Sequence, residues 1–197
     1  MRILLIVAWL FVGLGGAIFH FGPGQEKLEL DRINRLLKQA RSAVESNEFQ
    51  DAVTRYDEVL AALPGEKKSE ANSIVLEKAK AQMMAAELPQ ARQSLETLLT
   101  DVRADENSDP RFEAEVQSTL ANSQYYMTWL MRLEGLPEEE WKPEIEAARQ
   151  HYTSLTKTAE QLGDAELLER SSEDLESSIR LARMDLGDLQ ALPLPSQ

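Results

Sequence analysis

Two pairs of alanines, each separated by twelve residues, constrain the fold of this chain more than any other feature. Ala40 and Ala52 form the first pair, and Ala79 and Ala91 form the second. Each pair lies in a stretch whose apolar residues recur with the helical period, and a turn falls between its two members. Two helices joined by so short a turn lie antiparallel, and a methyl-sized side chain at their crossing lets the backbones approach closely. The pattern therefore predicts helical hairpins.

The larger residues around these alanines repeat as well. Phe49 and Tyr56 are expected to fill the space on either side of Ala52. In the second hairpin, Leu95 takes the place of Tyr56 beside Ala91, 39 residues further along the chain. This recurrence of large and small residues predicts two units of the same kind.

A third hairpin is less regular. Ala121 marks its first helix, and Ala148 and Tyr152 mark its second, so 27 residues separate the alanines instead of twelve. The stretch "RLEGLPEEEWKPE" lies between them and is interpreted as a loop-like insertion. Asp164 then begins a last helix, which would cap the third hairpin and show a polar face to water.

Together these segments resemble the tetratricopeptide repeat, a helix-turn-helix unit with small residues at fixed positions. The resemblance covers residues 30–187. It departs from the family pattern because Ala40 stands where glycine is usual and Val59 where alanine is common. A helical bundle with coincidental alanine spacing is the alternative. The resemblance implies an all-α fold, a short solenoid of antiparallel hairpins at about 30–64, 70–103 and 110–162, with a C-terminal capping helix at 164–187.

The two ends of the chain differ from this central region. An uncharged apolar run extends from Ile3 to Phe19, near the lower limit for crossing a bilayer. We expect residues 1–21 to form a single-pass transmembrane signal anchor and residues 22–29 to form a juxtamembrane linker. A cleaved signal peptide and a buried core helix are the alternatives. Residues 188–197, which include two prolines, are predicted to be a flexible tail.

Charge limits the partners and the location of the protein. The chain has 34 acidic and 21 basic residues, a net charge of −13, which repels phosphate backbones and argues against nucleic-acid binding. The amino terminus and Arg2 favour an inside amino end, whereas Lys27, Arg32 and Arg35 lie close on the other side of the run. A two-residue leader is the usual layout for a domain exported behind its anchor. The soluble domain is therefore expected on the extracytoplasmic side of the membrane, which is the periplasm if the chain is bacterial.

No catalytic, cofactor or metal site is predicted. The absence of cysteine excludes disulfides and thiolate chemistry. His151 is the only histidine after the predicted anchor and has no second metal-ligating histidine near it. Asp105, Asn107 and Asp109 alternate as in a calcium loop, but the glycine and the glutamate that such a loop requires are missing. No phosphate-binding loop or hydrolase nucleophile motif occurs. The sequence therefore gives no support for an enzyme.

Four aromatic residues are candidates for partner binding. Tyr125, Tyr126 and Trp129 lie within five positions of one predicted helix, so their rings cannot all face the same side. They pack in the core or line a concave groove. Trp141, in the acidic insertion, either anchors a partner or folds back onto the third hairpin.

The resemblance implies a function in recognition. We expect a membrane-tethered, non-catalytic scaffold that holds a partner protein or peptide in the groove of the helical array. The acidic surface predicts a basic or mixed-charge partner and salt-sensitive association. The alternative is a self-associating structural spacer, a homo-oligomer that uses the aromatics of the third hairpin as its contact.

Overall fold

The computed structural model describes residues 23–185 and 187–189, which form seven α-helices and no strand. The all-α class predicted from the sequence is therefore confirmed. None of the seven helices combines the length and the apolar character that a membrane crossing requires. The predicted anchor at 1–21 lies outside the described residues. In chain order the helices are α1 Pro23–Glu45, α2 Phe49–Ala62, α3 Lys68–Met84, α4 Leu88–Ala104, α5 Pro110–Leu133, α6 Glu138–Leu162 and α7 Ala165–Arg183.

The chain divides into two compact units, of which the first ends at Lys67. Its described part is one hairpin, made by α1 and α2. The predicted linker at 22–29 is helical from Pro23 onward, because proline suits the first position of a helix and the residues after it are mostly good helix formers. The hairpin buries one side of each helix. Its buried apolar residues are Ile33, Ala40, Ala43, Ala52, Val53, Tyr56 and Val59.

In the second unit, which begins at Lys68, each helix packs against the next along the chain. Helix α5 also contacts α3 and α7. One core cluster joins α3, α4 and α5, and another joins α5, α6 and α7. Helix α5 belongs to both clusters and is therefore the central element of this unit.

The turns that close the hairpins have the same geometry in both units. A residue with a left-handed backbone stands two positions after the end of the first helix, at Asn47 (φ 59°), Ala86 (φ 62°) and Gly135 (φ 75°). The next residue donates its N–H to a carbonyl five positions back, as in the bond from Glu48 N to Ala43 O at 2.8 Å. The equivalent bonds of the other two turns measure 2.8 and 2.9 Å. This is the Schellman arrangement, which satisfies carbonyls at a helix end while the chain reverses.

The loop-like insertion predicted in the third hairpin is wrong. Four residues, 134–137, connect α5 and α6, and the extra residues lengthen both helices to 24 and 25 residues. Trp141 lies on α6. The three glutamates at 138–140 fill the first turn, where the helix dipole favours negative charge, and Glu138 pairs with Lys142 at 2.6 Å. These interactions support a helix that begins before Pro143, despite the N–H that proline lacks.

Helix α7 buries a mostly polar face. Asp164 caps it by accepting a hydrogen bond from Leu167 N at 3.0 Å. Leu167, Leu168 and Leu175 of this helix are only partly buried. Its buried residues are Ser171, Asp174, Ser177, Ser178 and Leu181. Ser171 Oγ and Ser178 Oγ donate to backbone carbonyls of α7 itself, so these buried hydroxyls have hydrogen-bond acceptors within their own helix.

The chain after α7 is fastened to α5. The Arg132 guanidinium donates to the carbonyls of Leu181 and Met184, and Trp129 Nε1 donates to Leu189 O at 3.4 Å. The Leu189 side chain is buried in the core cluster of α5, α6 and α7. The sequence assigned Leu189 to the tail, and the structure instead makes it part of the core. Residues 190–197 of the predicted tail lie outside the described residues.

Candidate functional site

The second unit contains two adjoining cavities, which together we call the groove. Lys80, Thr119 and Asn122 line both cavities, so α3 and α5 supply a shared wall between them. One cavity is mostly apolar and lies between α3, the start of α4 and α5. The other is mostly polar and lies between α3, α5 and α7. The groove therefore follows α3, α5 and α7 of the second unit.

The apolar cavity has a volume of about 350 Å³ and an open rim. Met83, Leu88, Tyr126 and Trp129 supply its walls, while Met84 and Leu130 are 46% and 39% exposed. A volume of this size is sufficient for one or two large side chains of a partner. Methionine side chains adapt their shape to different occupants, so a Met-rich wall favours binding over rigid packing.

The polar cavity, of about 390 Å³, is balanced in charge. Three basic and three acidic side chains line it: Lys80, Arg111, Arg170, Glu115, Asp164 and Asp174. Two of these form a close pair, Lys80 Nζ and Glu115 Oε1 at 2.6 Å, and another two lie 3.8 Å apart, Arg111 Nη1 and Asp164 Oδ2. The groove thus lacks the strong negative charge of the chain as a whole.

Buried phenols lie beneath the groove. Burial raises the pKa of Tyr125 to about 12, and the nearby Tyr126 and Asp174 add to the effect. Burial also raises the pKa of Tyr152 well above its usual value, and its hydroxyl donates to Asn122 Oδ1 at 2.7 Å. Both phenols therefore stay neutral over the physiological pH range and do not exchange protons there.

The nine residues that the sequence assigned to repeat packing are all buried, with at most 2% of their surface exposed. Those in the first unit are Ala40, Ala52 and Tyr56, and those in the second are Ala79, Ala91, Leu95, Ala121, Ala148 and Tyr152. An alanine with no exposed surface is surrounded by neighbours, so we expect a larger side chain at these sites to displace one of them.

The four aromatic candidates for partner binding separate into two groups. Tyr125 is completely buried and contacts Tyr126 edge to face, with ring centres 6.1 Å apart. Trp141 is partly buried, and the Arg132 guanidinium lies 4.7 Å from the centre of its ring. Tyr125 belongs to the core, and Trp141 packs against that core and lines neither cavity. Tyr126 and Trp129 line the groove.

Sequence reasoning missed several groove residues, among them Met83, Met84 and Leu130. One signal was present: Tyr126, Trp129 and Leu130 stand three and four positions apart, which places them on one face of a helix. The methionines gave no such signal, because their place in the groove depends on how α3 lies against α5.

Two of the aspartates that were considered for metal binding have structural roles. Asp105 Oδ1 accepts from Asn107 N at 3.0 Å in a local turn, and Asp109 caps α5 by accepting from Arg111 N at 2.9 Å. His151 is half-buried, and burial together with Arg103 lowers its pKa. Among the described residues, no three histidine, aspartate or glutamate side chains come together in a way that could hold a metal ion.

Neither a protein-family model nor a curated protein matches this chain.

Proposed function

We propose that the protein is a membrane-tethered, non-catalytic scaffold that binds a segment of a partner protein in the groove. The hairpins would be units of the tetratricopeptide type, and the anchor at 1–21 would fix the scaffold to the membrane. One observation carries the proposal: an open apolar cavity continues into a charge-balanced polar cavity along α3, α5 and α7. Such a surface is suited to a peptide that has both apolar and polar side chains.

Two repeated features support the assignment of the hairpins to the tetratricopeptide type. Asn47 and Ala86 occupy equivalent positions in their turns and are 39 residues apart, the same separation as Ala52 and Ala91. The backbone bonds of the two turns, 2.8 Å in each case, are also equivalent. A repeat of the backbone together with the packing residues is typical of a solenoid unit and is less expected of an irregular bundle.

The charge balance of the groove indicates which side chains a partner segment should have. A partner segment bound there needs one or two large apolar side chains for the apolar cavity, followed by residues of mixed charge. The net charge of −13 would still attract a basic partner at long range. We therefore expect salt to slow association while the dissociation rate changes little, because long-range charge acts mainly on encounter.

Site-specific photocrosslinking tests this proposal. A photoreactive residue at Met84, on the rim of the groove, should capture a partner in native membranes. Leu130→Glu should abolish that capture by placing a charge in the apolar cavity. The matched control is Leu133→Glu, since Leu133 lies one turn away on the same helix, is 36% exposed and is not among the residues that line the groove. Equal capture by the two variants would refute binding in the groove.

Self-association is a second candidate, favoured by the exposed apolar side chains of Leu130 and Leu133 near the end of α5. These residues stand on one face of the helix, where a second copy could cover them. Light scattering of the full-length protein at two salt concentrations separates the candidates. A dimer that persists at high salt and is lost in Leu133→Glu would support the spacer and contradict the scaffold.

A further inference from the structure

Two methionines stand at the end of α3 and line the apolar cavity. Met83 and Met84 are the last two residues of that helix, and both belong to the cavity wall. Met84 is 46% exposed, and it is the only exposed methionine in the described part of the chain. The other methionines there are half-buried, namely Met83, Met127, Met131 and Met184. The most accessible thioether that the structure describes is therefore on the rim of the groove.

A thioether is oxidised by two-electron oxidants such as hydrogen peroxide. Its sulfur attacks one peroxide oxygen, so that an S–O bond forms while the O–O bond breaks. The other oxygen takes up the remaining proton and leaves as water. The sulfur loses two electrons, which the peroxide gains, and the product is methionine sulfoxide. Cysteine thiolates compete for such oxidants, but this chain has no cysteine. Its thioethers are therefore the only sulfur groups on which the oxidant can act.

Oxidation would change the character of the cavity wall. A sulfoxide is a polar, chiral group, whereas the thioether that it replaces is flexible and apolar. The wall around the two methionines is mostly apolar and includes Leu88, Trp129 and Leu130. An apolar side chain that entered the cavity would cover the sulfoxide oxygen and remove it from water, which is unfavourable for a polar group that gains no hydrogen bond in exchange.

We propose that Met84 is an oxidation site and that its sulfoxide weakens binding in the groove. Met83, which is half-buried in the same wall, is the second sulfur to react there. The reaction at Met84 is independent of the proposed function, but its effect on binding rests on that function. A methionine sulfoxide reductase returns the sulfoxide to the thioether, so the change in the groove is reversible.

Peptide mapping by mass spectrometry tests the site itself. The full-length protein in lipid nanodiscs is treated with hydrogen peroxide for increasing times, and the sulfoxide fraction of each methionine is measured. Trypsin releases residues 81–92, and fragment spectra distinguish Met83 from Met84 within that peptide. Met84 should react at least about five times faster than Met127 and Met131 on α5, because its side chain is the more accessible to the oxidant. A Met84 that reacts no faster than these two would overturn the proposal.

Photocrosslinking measures the effect on binding. A photoreactive residue at Leu130, on the rim of the apolar cavity, reports whether the groove is occupied in native membranes. Capture of a partner should fall by about fivefold or more after peroxide treatment, as expected when a polar group enters an apolar cavity without a hydrogen bond. Treatment with methionine sulfoxide reductase should restore it.

Two double variants show whether the sulfurs of the groove are responsible. Met83→Leu with Met84→Leu keeps the wall apolar and removes both sulfurs, so capture should persist under peroxide. Met127→Leu with Met131→Leu removes two sulfurs that line neither cavity, and its capture should remain as sensitive to peroxide as that of the parent. An equal loss of capture in the two variants would overturn the effect on the groove.

The two measurements separate this proposal from the proposed function. A fast reaction at Met84 in a protein that captures no partner, with or without peroxide, would support the oxidation site and reject the scaffold. Capture that is unchanged after complete oxidation of Met84 would leave the scaffold standing and overturn the control of binding by oxidation.

Discussion

Enlarging Ala91 tests the claim that small side chains allow the hairpins to pack. Ala91 lies on α4, has no exposed surface, and donates its N–H to Glu87 O at 3.0 Å. Replacing it with leucine adds three carbon atoms at a site that has no space open to water. The matched control is Ala104→Leu, because Ala104 is the last residue of the same helix and is exposed.

The expected loss follows from the cost of overpacking. Extra carbons in a packed core cost about 1–3 kcal/mol, since neighbours must leave their preferred rotamers or the helices must separate. Leucine and alanine differ by only about 0.2 kcal/mol in helix propensity, so propensity does not decide the result. We expect Ala91→Leu to lower the free energy of unfolding by about 2 kcal/mol. Ala104→Leu should stay within about 0.5 kcal/mol of the parent.

Urea unfolding of the full-length chain, followed by far-ultraviolet circular dichroism, measures both variants. A loss of about 2 kcal/mol corresponds to a fall of roughly 8 °C in the melting temperature for a unit of this size. The helical signal before unfolding should be unchanged, because alanine and leucine are both good helix formers. If Ala91→Leu were as stable as Ala104→Leu, the site would have room for a larger side chain and the steric account of the hairpin would be refuted.

Three further predictions concern the second unit. Arg132→Met should lower the free energy of unfolding, measured in urea, by about 2–3 kcal/mol. It removes two charge-assisted hydrogen bonds to carbonyls and the contact with Trp141. An unchanged urea midpoint would contradict this role. Tyr152→Phe should lower the free energy of unfolding by about 1 kcal/mol, because the hydrogen bond to Asn122 is lost. A variant as stable as the parent would show that the hydroxyl does not contribute to stability. The pKa of His151 is lowered in the folded protein, so below about pH 6.5 the unfolded chain takes up the proton more readily and stability falls as the pH falls. His151→Gln should therefore lose less stability than the parent between about pH 7 and pH 5. If the free energy of unfolding depended on pH in the same way in both proteins, protonation of His151 would not contribute to stability.

The aromatic residues near the groove show how much of the site could be predicted from the sequence. Helical spacing established that Tyr125, Tyr126 and Trp129 could not share one face, since successive residues turn by about 100°. It did not establish which ring would be buried. That depended on α6 and α7, which enclose Tyr125 and leave Tyr126 and Trp129 beside the groove.

The prediction of a loop-like insertion in the third hairpin was wrong for a related reason. Prolines and a glycine suggested a loop, yet Gly135 closes a turn and Pro143 is tolerated near the start of α6. Local residue preferences could not reveal that a helix through this region would place Trp141 under Arg132. Leu189 is a similar case, because its burial requires the end of α7 to lie beside α5.

The sequence by itself determined the helices, their pairing into hairpins and the burial of the alanines within them. These features depend on periodicity and side-chain size over short distances, which can be read along one segment. The tertiary structure alone decided where the groove lies, that its charges balance, and that α7 buries serines and an aspartate. Each of these depends on which faces of separate helices meet, and that is set by packing between residues distant in the chain.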